Sequence, residues 1–322
     1  MERRRRERGR VDRRTGLMAS RVGFALALAS LCGIASAVTP FEVREIARGV
    51  FVHEGRTLAL DAPGHDDIAN LGFVVGERCV AVIDTGGSVR TGEALRDAIA
   101  SRTKIPVCYV IDTHVHVDHV LGNAAFRDAK PKFVGSATLA AAIDASRRYF
   151  VEHYAADLGA SASGDDVIGP DTTVATTMTI DLGGRTLGLR AWPKAHTDSD
   201  LTVTVEDAGV LFAGDLLFVG RVPALDGSVK GWLAAIDELA KSHADIVVPG
   251  HGPVSNDIAA AFAPERRYLQ VLVDGVRKEI ADGKPIEDAT AHVGQSEKSK
   301  WLLFDTANAH NVSLAYRELE WE

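Results

Sequence analysis

Thr113-His114-Val115-His116-Val117-Asp118-His119 follows directly on Val107-Cys108-Tyr109-Val110-Ile111-Asp112. The first five residues of that preceding run form a short, continuous apolar stretch, the pattern of a strand buried on both faces. Val115 separates His114 from His116, so an extended backbone turns both imidazoles to one side. Asp118 and His119 come as the chain turns towards a helix. Neutral imidazole is the commonest protein metal ligand, and a carboxylate beside it supplies charge. A lone histidine on an apolar strand is ordinarily a satisfied core residue. Four ligand candidates packed between positions 114 and 119 are a metal-binding pattern.

Three later segments repeat the arrangement. His196 lies in Lys194-Ala195-His196-Thr197-Asp198-Ser199-Asp200, just after the strand-like run Arg185–Trp192. Asp215 follows the apolar run Val210–Ala213, and Gly214 before it allows a sharp strand-end turn. His251 lies in Pro249-Gly250-His251-Gly252-Pro253, after Asp245–Val248. Each ligand candidate therefore sits at the C-terminal end of a strand, where loops of layered α/β proteins converge on a site. Asp84, at the end of Val80–Ile83, is placed to orient a ligand histidine from behind.

Around these segments, helical and strand patterns alternate in two similar halves. Val50–His53, Asn70–Gly76 and Arg78–Asp84 read as strands, and Thr91–Ser101 as a helix by the spacing of Ala94, Leu95, Ala98 and Ile99. An α-rich stretch covers about Val120–Arg127 and Ser136–Leu158, and the Gly/Ser/Asp-rich segment Gly159–Pro170 is a loop. Thr176–Leu182, Arg185–Trp192, Leu201–Glu206, Gly209–Phe212 and Asp245–Val248 read as strands. Val229–Ser242, Asp257–Asp282 (with Pro264 near its start or at a break) and Trp301–Glu322 read as helices. The expected architecture is α/β, with helices on the outer faces of packed sheets.

The ordered set His-x-His-x-Asp-His, then His196, Asp215 and Gly250-His251-Gly252, resembles the metallo-β-lactamase superfamily over most of residues 41–255. The resemblance implies an αββα sandwich of two mixed sheets. It also implies two divalent ions, one held by His114, His116 and His196, the other by Asp118, His119 and His251, with Asp215 bridging. Asp at 215 resembles the glyoxalase II-like branch; the B1 β-lactamases carry Cys there, which disfavours antibiotic hydrolysis. Only 71 residues follow His251, so the long glutathione-binding helical domain of glyoxalase II is not evident. Phe218–Pro223, Leu225-Asp226-Gly227-Ser228, Gly231-Trp232-Leu233 and the ending Glu318–Glu322 look like the quinoprotein relay system zinc metallohydrolases and the metallohydrolases of sulfur-oxidation clusters.

The activity this implies is hydrolysis of an ester, thioester, lactone or similar carbonyl in a small-molecule substrate. A water activated between two ions attacks, and Asp118 orients it or passes its proton on. Zinc is the default for such a ligand set, while iron and manganese stay open. Two other readings stand beside it: a mononuclear iron persulfide dioxygenase using the first His/His/Asp set, and a non-catalytic metal-binding accessory protein. Arg221 and Lys230, after the Asp215 segment, are the candidates for meeting an anionic group on the substrate. His65 is expected to face solvent from its loop, and His53, His153, His243, His292 and His310 belong to no ligand spacing.

Composition limits the alternatives. The chain has 322 residues, 46% hydrophobic and 25% charged, and a mean hydropathy of +0.01, which fits a globular protein rather than a disordered or polytopic membrane one. The net charge of −8 conceals an asymmetry: residues 1–37 hold nine Arg and three acids, leaving 27 bases, 41 acids and a charge of −14 for the remainder. Such a body has no general attraction for nucleic acid or anionic lipid. The Arg-rich start, the apolar run Gly23–Ala37 and the ending Ala35-Ser36-Ala37 form the layout of a secretory signal peptide. The expected domains are a signal peptide at 1–37, a catalytic domain at 38–256, and a helical extension at 257–322 packed on the same domain. After cleavage the chain is expected in the periplasm or secreted, with no stable membrane insertion. Its remaining cysteines, Cys79 and Cys108, could be neighbours in a sheet and are expected to be buried thiols rather than a disulfide.

Overall fold

In a computed structural model, which describes residues 41–159 and 162–322, the apolar runs assemble into two sheets. The expected signal peptide lies outside the described residues. The first sheet holds β1 (Arg44–Ala47), β2 (Val50–His53), β3 (Leu71–Val75), β4 (Val80–Ile83), β5 (Val107–Ile111), β6 (Lys132–Ser136) and β7 (Thr172–Val174), in that spatial order. The first four pair antiparallel, and β4 through β7 pair parallel. The second sheet holds β8 (Thr177–Asp181), β9 (Thr186–Ala191), β10 (Leu201–Val205), β11 (Val210–Phe218) and β12 (Ile246–His251). Only its β11–β12 pair is parallel.

Period-two alternation decides how the layers stack. In β4, Ala81 and Ile83 enter the core between the sheets, with Val50, Val74 and Ile111. Val80 and Val82 point the other way and pack with Leu95 and Ile99 of α1 (Val89–Arg102). In β11, Val210 and Phe212 face the shared core, while Leu211 and Ala213 join the outer cluster. That cluster is built by α5 (Val229–Leu239), α6 (Ile258–Ala281), α7 (Ile286–His292) and α8 (Phe304–Leu319). Three short or peripheral helices complete the set: α2 (Val117–Val120), α3 (Leu139–His153) and α4 (Ala155–Leu158). The architecture is an αββα sandwich. Among the described residues, no helix is long and apolar enough to cross a membrane.

Helix starts follow local chemistry. Ser88, Ser228 and Asp257 each cap a helix by accepting from a backbone N–H of its first turn, at 2.9–3.0 Å. Pro264 lies inside α6, which continues through it.

The structure revises several readings. Residues 121–129 form 3-10 turns, and the segment read as helix from Ser136 begins with the end of β6. The short edge strands β1 and β7 also escape a reading by apolar runs, because few of their residues are buried. β11 does not end before Asp215. Gly214 takes φ +54°, the register shifts, and the strand continues to Phe218. Asp215 is therefore a mid-strand residue beside a bulge, which re-aims its side chain.

Cys79 and Cys108 are a disulfide, not two thiols. β4 and β5 are parallel neighbours, which brings the two Cα atoms to 5.5 Å. The bridge closes a loop of 29 residues, for which chain-entropy arguments give about 3–4 kcal/mol. Reduction should lower the urea midpoint accordingly, and alkylation of the denatured, unreduced protein should leave both cysteines unlabelled. Labelling of both in oxidised protein would refute the bridge.

Candidate metal centre

The loops leaving β5 and β9, together with β11 and the last residue of β12, bring seven side chains together. His114, His116, His196 and Asp215 form one group and Asp118, His119 and His251 another, with the potential ligand atoms of each group within 4.8 Å of one another. Asp215 touches both: its Oδ2 lies 3.4 Å from His196 Nε2 and 3.3 Å from His251 Nε2, and its Oδ1 3.2 Å from His119 Nε2. Asp118 Oδ2 is 3.3 Å from His251 Nε2. All seven are buried except His116, which is partly exposed.

Each imidazole is held from behind, and the holding atom decides which nitrogen is free. His119 Nδ1 donates to Asp84 Oδ2 at 2.8 Å, which leaves Nε2 a lone pair. His196 Nδ1 donates to Ala224 O at 2.6 Å, and His251 Nδ1 to Ile68 O at 2.8 Å. Thr113 Oγ1 donates to Asp84 Oδ2 at 2.9 Å and so accepts from His114 Nδ1, also at 2.9 Å. His116 is the reverse case: its Nε2 donates to Asp226 Oδ2 at 2.8 Å, turning Nδ1 inwards.

The free nitrogens converge. His116 Nδ1 faces His196 Nε2 at 3.0 Å, so the two lone pairs are turned towards each other. His114 Nε2, His119 Nε2 and Asp215 Oδ1 are buried with no hydrogen-bond partner. Buried polar atoms are rarely left this way. Five imidazole lone pairs and two carboxylates aimed at one volume fit divalent cations.

The electrostatics agree. Burial pushes His114 well below the usual imidazole range, and His119 adds to it. Burial, then His116, takes His196 down to about 4. Burial also opposes charge on His119, but Asp215, Asp84 and Asp118 outweigh it and hold that ring well above its usual value. The pocket carries negative charge that a proton or a metal ion must meet.

Asp84 is buried, and its Oδ1 also accepts from Thr113 N at 2.8 Å. It thus steadies both His119 and, through Thr113, His114. Its φ of +56° lies in the left-handed region, which Asp tolerates better than most residues.

A cleft of about 580 Å³ opens over the centre, with His116, Asp118, Asp215 and His251 at its base. Val115, Val117, Tyr149, Phe150 and Tyr154 give it apolar surface. Arg221 also lines it. Its Nη1 is 3.2 Å from His251 Nδ1, two donors that cannot bond, and among the described residues it has no carboxylate partner. Lys230 does not line the cleft: it pairs with Glu322 at 2.9 Å on the surface. His65 is not a free loop histidine either, since it meets Asp157 at 3.1 Å. The sequence marks Asp226 only by an Asp-Gly turn shortly after the Asp215 strand.

The chain belongs to the metallo-β-lactamase superfamily, whose pattern matches residues 65–251. It is similar in structure to a metallo-β-lactamase from Pontibacter korlensis, at 24% identity, 71% of this chain, 98% of that one and a TM-score of 0.57. It is also similar to the enzyme TMB-1, at 20% identity, 72% of this chain, 98% of that one and a TM-score of 0.56. The sec-alkylsulfatase Pisa1 from Pseudomonas sp. matches at 17% identity and a TM-score of 0.62, over 87% of this chain but 50% of its own length. At such identities these structures speak for the fold.

A Cβ added at Gly250 would overlap Asp215 Oδ1. Gly250→Ala should therefore displace the carboxylate between the two groups and weaken metal binding by about tenfold or more, with far-UV circular dichroism preserved. Wild-type metal content in the variant would remove Asp215 from the site.

Proposed function

We propose that the protein is an exported, dinuclear metal-dependent hydrolase of small ester, thioester, lactone or similar carbonyl substrates. Its motifs resemble those of the glyoxalase II-like branch and of the quinoprotein relay system and sulfur-oxidation-cluster metallohydrolases. The observation that carries this reading is the convergence of five anchored imidazoles and two carboxylates at and beneath the base of a cleft. In the second group His119 and His251 are anchored from behind as the imidazoles of the first are, which favours two ions over the single iron of a persulfide dioxygenase. An open cleft above the ligands favours catalysis over a purely accessory metal site.

Bound zinc or a similar divalent ion would polarise the scissile carbonyl and supply hydroxide at neutral pH. The chain's own residues do the rest. Asp215, between the two groups, fixes their separation. Asp118 lines the cleft, and although burial works against its charge, His119 and His251 hold its carboxyl well below the usual range, so it stays ionised. It can orient the attacking water and carry its proton to the leaving group. Arg221, unpaired in the cleft, can meet an anionic part of the substrate, while the apolar wall excludes water around it.

Export accords with the Cys79–Cys108 disulfide, since such bridges persist in oxidising compartments.

A panel of esters, thioesters, lactones, a β-lactam and an alkyl sulfate, assayed with metal-replete protein, tests the activity. Turnover is expected among the carbonyl substrates other than the β-lactam, and Asp118→Asn should lower kcat by roughly 10²–10⁴. Asp215→Asn should reduce bound metal below two ions per chain; unchanged metal content would reject the bridging role. Cell fractionation is expected to find the chain outside the cytoplasm with Val38 at its N-terminus, and a retained leader would refute export.

A further inference from the structure

The family segment ends at His251, yet the last helix of the chain reaches back to the centre. Thr306 and Ala307, in the first turn of α8, line the cleft. One turn further, His310 Nε2 donates to Asp226 Oδ1 at 3.0 Å, while Asp226 Oδ2 accepts from His116 Nε2. Asn311 grips the same loop: its Oδ1 accepts from Leu225 N at 2.9 Å and its Nδ2 donates to Pro223 O at 2.7 Å. Glu318 accepts from Ser228 Oγ and Val229 N, each at 2.7 Å. The segment 223–229 is thus held by α8 on both sides of Asp226.

These contacts divide by burial. Asn311 is fully buried with its side-chain groups used, the mark of a brace for the fold. The side chains of His310 and Asp226 are 56% and 43% exposed, and pairs exposed to that degree add little to stability. Their alignment has a different consequence. With one carboxylate oxygen taken by His310, the other is presented to His116 Nε2. That contact keeps the proton on Nε2, so Nδ1 offers its lone pair beside His196 Nε2.

We propose that His310 is a positioning residue of the metal centre: acting through Asp226, it holds His116 in the tautomer and orientation that present Nδ1 to the first ion position. The C-terminal helix then completes a site whose ligands all come from other elements. This rests on the metal-centre reading above, and the test separates the two.

Metal affinity of the full mature chain is measured by competition with a chromophoric chelator, using zinc, for wild type, His310→Ala, His310→Gln and Asp226→Ala. In parallel, ¹⁵N-histidine NMR of the metal-free proteins reads the His116 tautomer. His310→Ala is expected to weaken one of two ions by about tenfold, to mix the His116 tautomers, and to leave the urea midpoint where it was. His310→Gln, whose amide can donate from the same position, should recover most of the affinity, and Asp226→Ala should lose at least as much as His310→Ala. Wild-type affinity in His310→Ala, or an unchanged His116 tautomer there, overturns the role of His310 alone. Wild-type protein that takes up no zinc overturns the metal centre itself.

Discussion

Mutual repulsion among ligand atoms is the constraint around which this chain is built. Five imidazole lone pairs and two carboxylates are aimed into one buried volume, an arrangement that costs free energy unless positive charge occupies it. The fold sustains it by giving each ring a fixed partner on its far side. Asp84 serves two rings at once, and backbone carbonyls at Ile68 and Ala224 serve two more. Asp84 directly follows β4, Ile68 lies between a 3-10 turn and β3, and Ala224 lies in the loop after β11 that α8 braces.

The bulge at Gly214 shows how the sheet accommodates the chemistry. A regular β11 would place successive side chains alternately in the shared core and against α5 and α6. The left-handed residue breaks that alternation, and Asp215 is turned to the centre instead. Gly250 on the neighbouring strand leaves the space the carboxylate needs. Two glycines on adjacent strands thus make room for one charged group in an otherwise apolar sheet.

Much of this was legible in the sequence. The run 113–119 and the later His196, Asp215 and His251 stood out because ligand candidates follow apolar runs there; the alternating segments indicated packed sheets under outer helices, and the family resemblance supplied the two-sheet sandwich. What escaped was whatever depends on partners far apart in the chain. The His310–Asp226 contact spans 84 positions and obeys no local spacing. Lys230 looked equivalent to Arg221 by position, but α5 carries it away from the cleft towards Glu322. The disulfide was missed for a different reason: the strand positions allowed Cys79 and Cys108 to be neighbours, but nothing local in the sequence distinguishes two adjacent thiols from a bridge.

The ligand set draws on both halves of the sandwich, with His114, His116, Asp118 and His119 following a strand of one sheet and His196, Asp215 and His251 supplied by the other. An ion gripped from both sides acts as a rivet across the seam. Occupancy then enters folding as a mass-action term, each tenfold rise in free ion above the dissociation constant adding about 1.4 kcal/mol to the folded state. For such a molecule, scarcity of metal in its surroundings would shorten its lifetime as well as idle its chemistry.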